Sequence, residues 1–119
     1  MIKFRAWYMP FGKYGAMQEM VYSRASHILA LAETEPEKYI PEQFTGLTDK
    51  NGKEIYEGDI VKSNYKYAQP KISQIIMEDG NSYIAGEDLA TGNEMLVSDH
   101  VNEIEIIGNV HANPELLKG

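Results

Sequence analysis

Cysteine is absent from the 119 residues, which excludes a disulfide, a thiolate zinc site and a thiol nucleophile and leaves packing alone to hold the fold. Such a chain suits a reducing cytoplasm. Long apolar runs are also missing: nothing approaches the roughly 18 residues of a membrane span. In "MIKFRAWYMPFG", Lys3 and Arg5 interrupt the apolar residues, unlike the continuous stretch of a signal peptide, so no membrane partner is expected. Basic residues are scarce late in the chain. Met1 to Lys71 carries ten basic and nine acidic residues, whereas Ile72 to Gly119 carries one and nine, for a net charge of −7 overall. A generic nucleic-acid binder needs cations to displace counterions along the phosphates, so this balance disfavours nucleic acid as a partner. There is no GxxxxGK phosphate loop, and no cofactor is expected. At 13.4 kDa the chain has the length of one domain, expected to span residues 1–119.

What is present is concentrated between Gln43 and Lys62, in "QFTGLTDKNGKEIYEGDIVK". Asn51-Gly52 is the dipeptide that best tolerates the two positive φ angles of a type I′ turn, so a tight reversal is predicted there. A second turn is predicted at Gly58-Asp59, with Gly58 free to take φ > 0 and Asp59 placed to bond nearby backbone N–H groups. The stretch therefore reads as turn, short strand, turn, strand. A calcium loop fails on register: with Gly52 at the invariant glycine, Leu47 takes the first ligand position and Gly58 the bidentate glutamate position. Asp49, Glu54, Glu57 and Asp59 could still gather, but as a carboxylate patch without histidine or cysteine.

Strand patterns continue beyond the block. "KISQIIM" and "SYIAG" flank the turn "EDGN", and "EMLV" follows the turn "ATGN". In "VNEIEIIGNV", Gly108 suggests a bulge or bend near the end of a half-buried strand. "NPELL" reads as one helical turn docking Leu116 and Leu117. "IKFRAWY" reads as a strand with one hydrophobic face. "MQEMVYSRASHILALAETEPEKYI" is ambiguous, because Val21, Ile28, Leu29 and Leu31 partly fit a helical stripe while "MVY" and "HILAL" also suit strands; a mixed segment is expected. Pro36 and Pro41 bracket a predicted loop. The fold class is all-β, with a β-dominated α+β arrangement as the alternative.

Three blocks, "IKFRAW", "QFTGLTDKNGKEIYEGDIVK" and "IIGNVHANPELL", together resemble, in content and order, the YopX-like family of phage and prophage proteins. They frame nearly the whole chain, while residues 14–40 and 65–99 match no recognised pattern. The resemblance implies a mostly β fold around a small, partly open, SH3-like barrel, to which the residue patterns above add further hairpins and a short C-terminal helical turn. It also implies a phage or prophage origin and hence the cytoplasm of a bacterial host. It carries no catalytic or binding residue to this chain.

The remaining chemistry is thin. Ser98, Asp99 and His100 supply a hydrolase's residue types, but neighbours on a strand point to opposite faces, whereas a triad converges from separate segments. His27, His100 and His111 have no short ligand spacing. The most suggestive stretch is "VKSNYKYAQPK", where Lys62, Lys66 and Lys71 interleave with Tyr65 and Tyr67, the pattern by which single-strand binders track phosphates and stack bases. Structural packing of the tyrosines and solubilising lysines explains the same residues. The expectation is thus a non-catalytic interaction protein with Asn51, Gly52, Gly58 and Asp59 as structural turns and Lys62, Tyr65, Lys66, Tyr67 and Lys71 as a candidate surface. Its partner would be a host or phage protein. A single-stranded nucleic-acid accessory, or an acidic inhibitor of a basic host protein, is the alternative. Eight tyrosines, six methionines and a tryptophan in so small a chain also point to a homo-oligomer.

Overall fold

Alternating and β-branched stretches become strands along most of the chain. The structure is a computed structural model that describes residues 3–12, 17–64, 70–88 and 93–118. In order these form β1 (Phe4–Tyr8), β2 (Glu19–Tyr22), the helix α1 (Ala25–Thr34), β3 (Tyr39–Thr48), β4 (Glu54–Tyr56), β5 (Asp59–Ser63), β6 (Lys71–Glu78), β7 (Asn81–Asp88), β8 (Asn93–Leu96) and β9 (Ile104–Asn109). Short 3-10 turns occupy Val97–Asp99, Val101–Glu103 and Pro114–Lys118. The fold is β-dominated: two antiparallel sheets, one a half-barrel, and one short helix. Strand order is β2-β1-β3-β4 in one sheet and β8-β7-β6-β5-β9 in the other. Backbone contacts divide the chain into two units, Met1–Phe44 and Thr45–Gly119.

In the first unit β1 lies between β2 and β3. The sequence promised one hydrophobic face, but Arg5, Ala6 and Trp7 are all buried in succession. The reason is position: β1 is an inner strand, and α1 packs against it. Arg5 tolerates this because Glu42 stands directly opposite in register, with Nε donating to Oε1 at 2.8 Å. The Trp7 indole N–H donates to Gln18 Oε1 at 3.1 Å. The ambiguous segment resolves into both elements, "MVY" in β2 and "HILAL" in α1. In α1 the positions turned away from solvent are Ala25, Ile28, Leu31 and Ala32, an i, i+3, i+4 stripe with Ile28 fully buried, while Leu29 is exposed. The expected loop ends early: Pro41 sits inside β3 opposite Ala6, because proline pushes the preceding Ile40 toward extended backbone.

In the second unit the core is Ile55, Val61, Ile75, Ile84, Val97 and Ile104. β6 and β7 join through Asp79-Gly80, with φ of +49° and +83° and Glu78 paired to Asn81, so a type I′ turn lies here. Against β5 the register of β9 slips, Ile60 facing Gly108 and Val61 facing Ile106, which is the irregularity Gly108 suggested. "NPELL" is a 3-10 turn in which Leu116 is half-buried but Leu117 is exposed, contrary to the docking of both. Adjacent residues in such a turn point about 120° apart, so one apolar surface takes only one of them. Ala90, Thr91 and Gly92 of the sequence turn "ATGN", and Tyr65, Lys66 and Tyr67, lie outside the described residues.

Candidate functional site

The central block is held by two buried aspartates. After β3, Gly52 N–H donates to Asp49 C=O at 3.0 Å and Asp49 N–H to Lys53 C=O at 2.9 Å, closing the reversal to β4. Gly52 takes φ +81°, but Asn51 does not share it, since Met17 and Asp79 are the positive-φ non-glycine residues among those described. The predicted type I′ turn is therefore corrected to a turn with a single left-handed glycine at its end. Asp49 explains the difference. Its Oδ1 accepts the N–H of Asn51 at 2.9 Å and of Lys53 at 3.0 Å, fixing the turn from the inside. Its Oδ2 accepts the N–H of Ile106, 57 residues away, at 2.9 Å.

Asp49 is 5% exposed. Burial raises its pKa, but the N–H groups of Ile106, Lys53 and Asn51 and the charge of Lys53 outweigh that and hold the carboxyl below its ordinary value. A general acid needs the opposite shift. At the second corner Gly58 has φ +86°, its N–H donates to Ile75 C=O and its C=O accepts from Val110 N–H, both at 2.9 Å. Buried Asp59 accepts the N–H of Tyr56 at 2.8 Å. Asp49 and Asp59 serve different backbone groups. No cluster of three or more histidines, cysteines or carboxylates fit to hold a metal occurs among the described residues. The weight carried by Asp49 was legible only as an aspartate two residues before Asn51, the offset of an Asx turn; its bond to Ile106 has no local signal.

Two glycines here act for different reasons, and alanine separates them. A Cβ on Gly52 would meet nothing within 4 Å, so Gly52→Ala is expected to cost only the backbone strain of a left-handed alanine, about 1–2 kcal/mol. A Cβ on Gly108 would lie 2.6 Å from Asn113 Oδ1, the atom that accepts the Asn109 N–H. Gly108→Ala must displace that side chain, and urea unfolding should show an Asn113→Ala background relieving part of the loss, with no relief for Gly52→Ala.

Among the described residues the other candidates do not converge. His100 Nδ1 meets Glu103 Oε1 at 3.0 Å, while Ser98 and Asp99 are exposed on the 3-10 turn before it. His27 Nδ1 meets Ser23 Oγ at 2.8 Å in the first unit. Lys62 pairs with Ile72 and Glu105, whereas Lys71 pairs with Ser63, so the two lysines stand on opposite faces of their sheet. Sequence reasoning missed a cleft of about 440 Å³ in the first unit, lined by Tyr8, Pro10, Phe11, Met17, Gln18 and Glu19. Phe11 and Met17 are 70% and 76% exposed there, and the Tyr8 ring stacks on Tyr39 at 4.8 Å. None of these lining groups is a nucleophile paired with a base. No helix among the described residues is long and apolar enough to cross a membrane.

The crystal structure of protein EF1440 from Enterococcus faecalis is similar over 98% of both chains, with 26% sequence identity and a TM-score of 0.58. No curated protein matches the chain. The family model described as YopX protein matches residues 3–118, through both backbone units, and the chain belongs to the YopX protein family.

Proposed function

We propose that this is a phage- or prophage-encoded, non-catalytic interaction protein, acting in the cytoplasm of a bacterial host, whose partner is a protein with a basic face. The observation that supports this reading is the division of charge. Residues 45–119 carry thirteen acidic and six basic residues, whereas residues 1–44 carry five of each. Asp49 and Asp59 are consumed by backbone bonds, but Glu78, Asp79, Asp99 and Glu115 are exposed. Unpaired surface carboxylates steer and orient a basic partner more than they hold it, so association should be fast and salt-sensitive. Single-stranded nucleic acid is the competing partner, and the strand register that sets Lys62 and Lys71 on opposite faces of their sheet weighs against it.

The test is capture from nuclease-treated host lysate at low and high salt, using the wild-type chain and a Glu78→Lys, Asp99→Lys, Glu115→Lys triple variant. The reading expects a basic protein that is lost at high salt and lost with the triple variant. Capture indifferent to both would refute it, and salt-sensitive binding of a labelled single-stranded oligonucleotide by the wild-type chain would favour the competitor.

A further inference from the structure

β2 is the outer strand of its sheet, with no further strand beyond it among the described residues. Natural edge strands are blunted by lysine, proline or a bulge, because their free backbone groups invite another strand. β2 reads Glu19-Met20-Val21-Tyr22, with one charge at its first residue and neither lysine nor proline. Met20 and Val21 are half-buried and Tyr22 is 62% exposed. Phe11, Met17 and Tyr22 are the three most exposed large hydrophobic residues among those described. Met17 leads into the strand, Tyr22 ends it, and Phe11 shares the cleft with Met17 and Glu19. An apolar margin thus follows an outer strand that pairs on one side only among the described residues.

We propose that β2 is the self-association edge of this protein, pairing antiparallel with β2 of a second copy about a two-fold axis. Charge selects the occupant. The net charge of −7 resides in residues 45–119, so copies meeting there would repel, whereas residues 1–44 are balanced. Register supports the same occupant. Antiparallel pairing centred on Val21 sets Val21 opposite Val21 of the second copy, Met20 opposite its Tyr22 and Glu19 opposite its Ser23, so no like charges face each other. Edge pairing alone is small, and the exposed Phe11 and Met17 side chains beside it supply apolar area to both halves. A two-fold contact closes on itself and stops at a dimer.

The interface uses other residues than the acidic partner surface, and the test separates the two. Sedimentation equilibrium of the full chain over a range of concentrations should reveal a species of twice 13.4 kDa. Its affinity should hold or rise with salt, as repulsion between acidic copies is screened, whereas capture of a basic partner falls. Tyr22→Lys, at an exposed position, should weaken dimerisation at least about tenfold while the dilute chain keeps the far-UV circular dichroism of the folded wild type. Met20 and Val21 amide exchange should slow as concentration rises. A monomer at every concentration, a dimer indifferent to Tyr22→Lys, a dimer whose β2 amides stay unprotected, or an extended segment of another protein seated on β2 in preference to the second copy would each overturn the proposal.

Discussion

Replacing Glu42 with alanine is expected to destabilise the first unit by about 3–5 kcal/mol, the largest single effect anticipated for this protein. Arg5 and Glu42 are 4% and 3% exposed, on adjoining strands, with Nε and Oε1 at 2.8 Å. Truncating the carboxylate leaves a guanidinium buried without its counter-charge, and the desolvation already suffered is no longer offset. Arg5→Ala should cost a similar amount for the mirrored reason. The double change Arg5→Met, Glu42→Leu should cost far less than the sum of the single ones, since apolar side chains of similar volume need no partner. The sole tryptophan, Trp7, lies in the same strand, so urea unfolding followed by its fluorescence reads the loss directly. A double variant as unstable as the sum of the single ones would show that the pair contributes through packing shape rather than charge.

Asp49→Ala is expected to cost about 2–4 kcal/mol, because it withdraws a charged acceptor from three backbone N–H groups at once. Asp49→Asn should lose less, about 1–2 kcal/mol. Its amide oxygen can still accept from Asn51 and Lys53, but its NH₂ would confront the Ile106 N–H that Oδ2 now accepts. The two variants also differ from wild type in pH dependence. The folded carboxyl has a lower pKa than the unfolded one, so the folded state binds the proton less well. Its contribution is full above the unfolded value of about 3.9 and fades as pH falls through the folded value. Chemical unfolding at pH 7 and at decreasing acidic pH should therefore show the wild-type advantage over Asp49→Asn shrinking toward acid. An advantage that grows toward acid would contradict the account.

What was legible in the sequence follows the range of the interactions. The β6–β7 hairpin, the corner at Gly58-Asp59 and the irregularity at Gly108 are set by residues within a few positions of one another, where glycine, aspartate and β-branched patterns have direct meaning. The two faces of β1 were not legible, because the residue that makes Arg5 tolerable is Glu42, 37 positions along, and nothing local announces it. The turn at Gly52 was placed correctly but typed wrongly: Asn51-Gly52 favours two positive φ angles locally, and the Asp49 carboxylate imposes another geometry. α1 lacked a signal at its start, since Arg24 sits at the cap without a side-chain bond and no acidic residue occupies the first turn. The exposed margin around β2 was hidden because apolar side chains left outside look, in sequence, like apolar side chains meant for a core.

The central claim is that the most recognisable block of this chain is a scaffold, with Asp49 and Asp59 bound to backbone. A carboxyl NMR titration of Asp49, followed together with the Ile106 amide, tests this most directly. The account predicts a midpoint below that of an ordinary aspartate, with the Ile106 amide shifting in step as the proton arrives. A midpoint raised toward neutrality, as an acid-base catalyst requires, or an Ile106 amide indifferent to the titration, would contradict it.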